Sequence, residues 1–167
     1  MSRGNKGRNK GRSVNWWDRW FLGLAQYVST ASKDPSTKVG AVIIDEKRRI
    51  VSCGYNGLPQ GVEDTDERLN NRELKYKLIV HGERNALLFE RRPVHGCTLY
   101  TTPFMPCSVC AGMVIQAGIK RVVAPYSDNP RWADDFKLTE QLFSEAEIEL
   151  VLLHGDYSGN KTVQAGH

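Results

Sequence analysis

No apolar run in this 167-residue chain approaches the roughly 18 residues that a membrane span would need. The start also lacks what a secretory leader requires: basic residues run straight into Trp16-Trp17-Asp18-Arg19 with no apolar stretch between them. An intracellular, cytoplasmic protein is the expectation. Acidic residues are missing from positions 1–12, where Arg3, Lys6, Arg8, Lys10 and Arg12 stand among glycine, asparagine and serine. So little apolar surface cannot order a segment, and residues 1–14 read as a disordered basic tail. Beyond it the chain, +4 overall, is close to neutral, which argues against a dedicated nucleic-acid binder. Cysteine is scarce: Cys53, Cys97, Cys107 and Cys110. In a reducing compartment a closely spaced pair points to metal or redox chemistry rather than a disulfide. What remains is ordinary for a globular protein, with 40% hydrophobic and 25% charged residues. The length fits one folded domain, placed over 15–155, with a flexible tail at 156–167.

Periodicity organises that domain. A helix is expected from about Asn15, a good N-cap residue, towards Ser32, with Trp17, Phe21, Leu24, Ala25 and Val28 on its apolar face. Two β-branched runs at 39–44 and 49–55, joined by the polar Asp45-Glu46-Lys47, read as a hairpin. The charged stretch at 58–77 reads as a surface insertion with one helical turn. Helices follow at 81–92, with Ala86, Leu87 and Phe89 as buried candidates, at 107–117, closed by Gly118, and at 132–145. Strands are expected at 97–101, 120–125 and 148–153. Cys53 and Cys97 read as small core residues. A hairpin followed by alternating helices and strands predicts an α/β fold: a three-layer α/β/α sandwich around a mixed five-stranded sheet.

Chemistry concentrates in His81-Gly82-Glu83 and Pro106-Cys107-Ser108-Val109-Cys110. Two cysteines three positions apart at a helix start can present both sulfurs to one ion, and the helix N-terminus favours their thiolates. With His81 they make three ligands, the number that leaves a tetrahedral zinc ion one open, catalytic position. Glu83 sits close enough to move protons without being needed as a ligand. A redox pair would not require the histidine and glutamate, and a structural zinc site would need a fourth ligand. His95 and His154 are the nearest other histidines by sequence. The arrangement is similar to the signature of zinc-dependent nucleobase deaminases.

Further segments carry a closer resemblance: Asp34-Pro35-Ser36-Thr37-Lys38-Val39-Gly40-Ala41, Gly54-Tyr55-Asn56-Gly57-Leu58-Pro59, and Ile115-Gln116-Ala117-Gly118-Ile119-Lys120. Over roughly residues 16–153 the chain resembles the deoxycytidylate deaminases of the cytidine deaminase superfamily, in their compact bacterial and phage form. The resemblance implies a cytidine deaminase-like fold and hydrolytic deamination of dCMP to dUMP, in which zinc-bound hydroxide attacks C4 of cytosine. It implies one zinc ion on His81, Cys107 and Cys110, with Glu83 as proton shuttle. Asn56 would hold the sugar hydroxyl, Val39 and Ala41 would wall the base, and the N–H groups of Gly82 and Glu83 would face the pyrimidine carbonyl. It further implies a homohexamer, activation by dCTP and inhibition by dTTP with Mg²⁺, and Arg92 at an effector site.

The chain departs from the family in places. Alanine is usual where Gly82 stands, and an apolar residue where Arg84 stands. A second zinc site in the insertion is not expected, because residues 58–80 contain neither cysteine nor histidine. For the 5′-phosphate the candidate cations are Lys33, Lys38, Arg84, Arg91 and Arg92. Three rival readings keep the zinc motif: a nucleic-acid deaminase, a deaminase of another heterocycle such as dCTP or guanine, and a non-catalytic zinc-binding assembly protein.

Overall fold

Ser13, not Asn15, starts the first helix: its side-chain oxygen accepts from the Trp16 N–H at 3.1 Å, capping α1 (Val14–Ser29). The structure is a computed structural model and describes residues 11–157. The expected tails at 1–14 and 156–167 therefore lie mostly outside the described residues. The part of the second that is described is held in place: the Arg19 guanidinium donates to the His154 and Asp156 carbonyls, and Tyr157 packs beside α1.

The remaining elements are β1 (Gly40–Ile44), β2 (Ile50–Tyr55), α2 (Asp66–Asn70), α3 (Arg72–Leu78), α4 (Gly82–Leu88), β3 (Thr98–Thr102), α5 (Ser108–Gln116), β4 (Arg121–Pro125), α6 (Ala133–Glu145) and β5 (Glu149–Leu153). The five strands form one mixed sheet in the order β2-β1-β3-β4-β5. β1 runs antiparallel to β2 and β3, while β3, β4 and β5 are parallel. Because side chains alternate along a strand, β1, β3, β4 and β5 each feed two cores. Ala41, Ile43, Leu99 and Val122 pack under α4, α5 and α6, whereas Val42, Ile44, Tyr100 and Val123 pack under α1. This is the expected three-layer sandwich. No helix among the described residues is long and apolar enough to cross a membrane.

Two glycines let helices sit directly on the sheet. A Cβ on Gly40 would lie 2.0 Å from the Ala25 carbonyl oxygen, and one on Gly54 would lie 2.4 Å from the Ala86 nitrogen. The second approach lays α4 against β2 and thereby sets where His81 begins that helix.

Several expectations need correction. α4 ends at Leu88 rather than running to 92, and Phe89 is 57% exposed instead of buried. Cys97 is a core residue as expected, but Cys53 is exposed, on the outer face of the edge strand β2. The insertion holds two short helices, and it buries Leu69 and Lys75. Its amphipathic pattern is too short to read, since five and seven residues cover barely two turns. Composition also hides Asp18, buried under the sheet, where Arg121 grips it with two bonds of 2.7 Å and the Tyr100 hydroxyl donates to it.

Candidate active site

His81 is the N-cap residue of α4, and its side chain makes no capping bond, so the imidazole is free to turn elsewhere. It turns to the start of α5. There Cys107, the N-cap, accepts from the Cys110 N–H at 3.5 Å. The His81 Nδ1 lies 3.6 Å from the Cys107 sulfur and 3.3 Å from the Cys110 sulfur. All three donor atoms fall within 4.8 Å of one another. Around a tetrahedral zinc ion, metal–ligand lengths of about 2.0 and 2.3 Å place a nitrogen and a sulfur roughly 3.6 Å apart. The donor set and its spacing therefore fit zinc.

The electrostatics of the trio agree. Contact with the Cys110 thiol draws Cys107 down to about 4 against the effect of its burial, helped by His81 and the Cys110 N–H. Cys110 is pushed up, chiefly because its proton is held by Cys107 and also because it is buried. His81 is raised by its bond to Cys107. The three groups compete for protons that a divalent cation can displace, since metal ligation removes protons from such ligands.

Glu83 stands in the first turn of α4 and is 4% exposed. Burial pushes its carboxyl up from the ordinary carboxylate range. One oxygen accepts from the Thr101 hydroxyl at 3.3 Å, while the other, Oε2, is buried without a hydrogen-bond partner. An orphaned carboxylate oxygen is costly unless something else comes to it. His81, Glu83 and Cys107 all line one cavity of about 440 Å³, a size suited to a small molecule.

Asn56 and Val39 also line this cavity. Asn56 is buried, with its Oδ1 accepting from the Val39 N–H at 2.8 Å and its amide donating to the Thr37 carbonyl at 2.9 Å and Asp34 at 3.3 Å. Both of its donors are thus spent on the loop it shapes, and one lone pair of Oδ1 is left over. Gly82 is buried behind Val39, and a Cβ there would come within 3.1 Å of the Val39 Cγ1. Ala41 does not wall the cavity: it lies one layer deeper, in the core beneath α4. Arg92 stands apart as well. It pairs with Asp45 at 2.6 Å, at the opposite end of β1 from Val39.

None of Lys33, Lys38, Arg84, Arg91 and Arg92 lines the cavity. Lys33 pairs with Asp64, Lys38 donates to the Ser32 carbonyl, and Arg84 turns its Nε onto the Cys110 sulfur at 3.3 Å. The cations that do line it are Arg72, Lys75 and Arg131, from the insertion and from the turn before α6. Lys75 is buried against Asp34 at 2.9 Å and donates to the Ser36 hydroxyl at 2.5 Å. Trp132, Phe104 and Phe136 form an aromatic group on the same wall. A charged insertion looks solvated in sequence, and only Leu69 and Ile79, two of its apolar residues, hint at a buried side.

The family model for the cytidine and deoxycytidylate deaminase zinc-binding region matches residues 15–125, a span that includes His81, Cys107 and Cys110. The chain is 41% identical over 143 residues to a protein of Aliivibrio fischeri described as an uncharacterized deaminase in the luxG 3′ region, covering 84% of this chain and 95% of that one. It is 36% identical over 140 residues to human deoxycytidylate deaminase, covering 79% of this chain and 76% of the human protein. Among solved structures, the apo dCMP deaminase of cyanophage S-TIM5 superposes with a TM-score of 0.68 at 21% identity, covering 85% of this chain and 100% of the other, a likeness of fold.

Proposed function

We propose, because the chain belongs to the cytidine and deoxycytidylate deaminase family, that it hydrolyses dCMP to dUMP and ammonia with one zinc ion on His81, Cys107 and Cys110. The observation that carries this reading is the shared cavity: His81 and Cys107, with Cys110 buried behind them as the third zinc-type donor, meet a buried carboxylate with a free oxygen at the same 440 Å³ space. The human relative supports the choice of substrate. When bound, zinc supplies a nucleophile at neutral pH by acidifying water.

The protein's own groups do the rest. Oε2 of Glu83 takes the proton of the attacking water and hands it to the departing amine at C4. Its burial helps, because a carboxyl raised from its ordinary range is better matched to carrying a proton near neutral pH. The first N–H of α4, at Gly82, has no i−4 carbonyl within the helix and is the one offered to the pyrimidine carbonyl, whereas the Glu83 N–H is turned to its own carboxylate. Asn56 fixes the loop at 37–39 and offers its remaining lone pair to a sugar hydroxyl.

A panel assay tests the reading: ammonia release from dCMP, 5-methyl-dCMP, dCTP, deoxycytidine and a cytosine oligonucleotide by zinc-loaded protein, with Glu83→Ala as control. Turnover of monophosphates that is lost in the variant is expected. Turnover of the oligonucleotide alone would replace this reading with a nucleic-acid deaminase.

Self-association, with a hexamer as the expected size, is part of the same proposal. It is supported by an apolar cleft between α4 and α5, where Leu88, Val109 and Met113 are 71%, 59% and 43% exposed. Light scattering that returned a monomer mass would remove it.

A further inference from the structure

We propose that Arg72 and Arg131 are the residues that hold the 5′-phosphate and make this enzyme select a nucleoside monophosphate over the free nucleoside; the inference rests on the deaminase reading above. The two arginines come from separate parts of the chain, the start of α3 and the turn before α6, and meet in the wall of the cavity. Both guanidinium groups donate to one atom, the Tyr76 phenol oxygen: Arg72 through Nε at 3.0 Å and Arg131 through Nη2. Their guanidinium carbons stand 5.5 and 5.8 Å from the centre of the Tyr76 ring, and Arg131 also lies 4.9 Å from that of Trp132.

Charge is the argument. Neither arginine has an ion-pair partner among the described residues. The third cation of the lining, Lys75, is neutralised by Asp34. The only other acid of the lining, Glu83, is buried beside the metal ligands. Two like charges are thus brought together on a neutral acceptor with no carboxylate to balance them. An anion of charge near −2 is what such a pair takes best, and a phosphate monoester carries about −1.5 to −2 at neutral pH. The planar fork of each guanidinium matches phosphate oxygens, the shared bonds to the Tyr76 hydroxyl hold both forks in place, and Arg131 also lies against Trp132.

Position agrees with charge. Two of the metal ligands, His81 and Cys107, line the same cavity as the arginines, with the apolar Ile79, Met105, Phe104 and Phe136 also in its wall. A nucleotide offers matching chemistry: a ring to be hydrolysed, apolar ring faces and a phosphate. Tyr76 is a positioning residue here, because it gathers the two guanidinium groups.

The test uses full-length, zinc-loaded protein and Arg72→Gln, Arg131→Gln and the double variant. Two quantities are read: kcat/KM for dCMP and for deoxycytidine, and the thermal shift given by dUMP and by deoxyuridine. Each single variant is expected to lose about tenfold in kcat/KM for dCMP and the double about a hundredfold, the scale of charge-assisted hydrogen bonds. The value for deoxycytidine should stay within about twofold, since that substrate has no charge to lose. The thermal shift from dUMP should collapse to that from deoxyuridine in the double variant, with zinc content unchanged. Arg131→Lys should recover part of the loss, because it restores charge without the fork. Equal losses on both substrates would overturn the inference and make the arginines wall residues. Unchanged dCMP kinetics in the double variant would overturn it while leaving the deaminase reading standing. A wild-type protein that turns over deoxycytidine but not dCMP would overturn both.

Discussion

The two sides of the cavity are built on opposite principles. On the metal side, His81, Glu83, Cys107 and Cys110 lie within 29 positions of one another, at the starts of two helices. This side is left unsatisfied: its sulfurs crowd an imidazole, and a buried carboxylate oxygen has no partner. On the far side, Asp34, Asn56 and Lys75 are drawn from three segments into a closed network. Lys75 pairs with Asp34 at 2.9 Å, and the Asp34 Oδ1 also accepts from the Ser36 N–H and hydroxyl, each at 2.8 Å. Groups that must react with something are held without partners by local structure. Asp34 and Lys75, which shape the cavity, spend their charge on each other, and Asn56 spends all but one lone pair on the same network.

The largest effect should come from the metal side. Cys110→Ser is expected to lose zinc and all turnover, read as metal content and ammonia release. Glu83→Gln should keep its zinc and lose about 10²–10⁴-fold in kcat. A Glu83→Gln protein that also lost its metal would blur the distinction drawn here between ligand and proton carrier.

Next comes the network itself. Lys75→Met leaves a buried Asp34 carboxylate without its cation, a change that costs about 3–5 kcal/mol, read from the urea midpoint. Adding Asp34→Asn should recover much of that loss. If Lys75→Met alone behaved like a surface substitution, the far side would not be the closed network described.

Acid should reveal the same network. Burial acts to raise the Asp34 carboxyl, but the Ser36 and Thr37 N–H groups and Lys75 outweigh it and hold the carboxyl below its ordinary value. A carboxylate lowered in the folded state contributes stability that is complete above its unfolded pKa of about 3.9 and is lost as pH falls through the folded value. The urea midpoint should therefore fall below about pH 4, and fall less in Asp34→Asn. The smallest effect belongs to Gly82→Ala. Its Cβ would press the Val39 side chain at 3.1 Å, and KM is expected to rise about two- to threefold at unchanged kcat.

The metal side is legible in the order of the residues because its information is local. Three ligands and a carboxylate sit at spacings that a helix start converts directly into geometry, and the cap roles of His81 and Cys107 follow from the same few residues. The strands are legible for the same reason: Val39-Gly40-Ala41-Val42-Ile43-Ile44 is an apolar, mostly β-branched run, but because all of β1 is buried only the fold decides which of its faces meets which helices. The far side is not. Lys75 stands in a stretch rich in charge and reads as solvated, because its partner Asp34 lies 41 positions earlier. Arg131 reads as a turn residue until Tyr76, 55 positions away, is beside it. Ala41 misses the cavity because the face it shares with Val39 is covered by α4 from that point on.

Periodicity, and spacing within a turn or two, were therefore enough to specify the sheet, the helices that cover it, the zinc donors and the carboxylate beside them. Which cations face the cavity, and which are neutralised, was settled by tertiary contacts alone. The reason is physical: whether a charge is buried, paired or free depends on what distant segments bring within a few ångströms of it, and no local pattern carries that information.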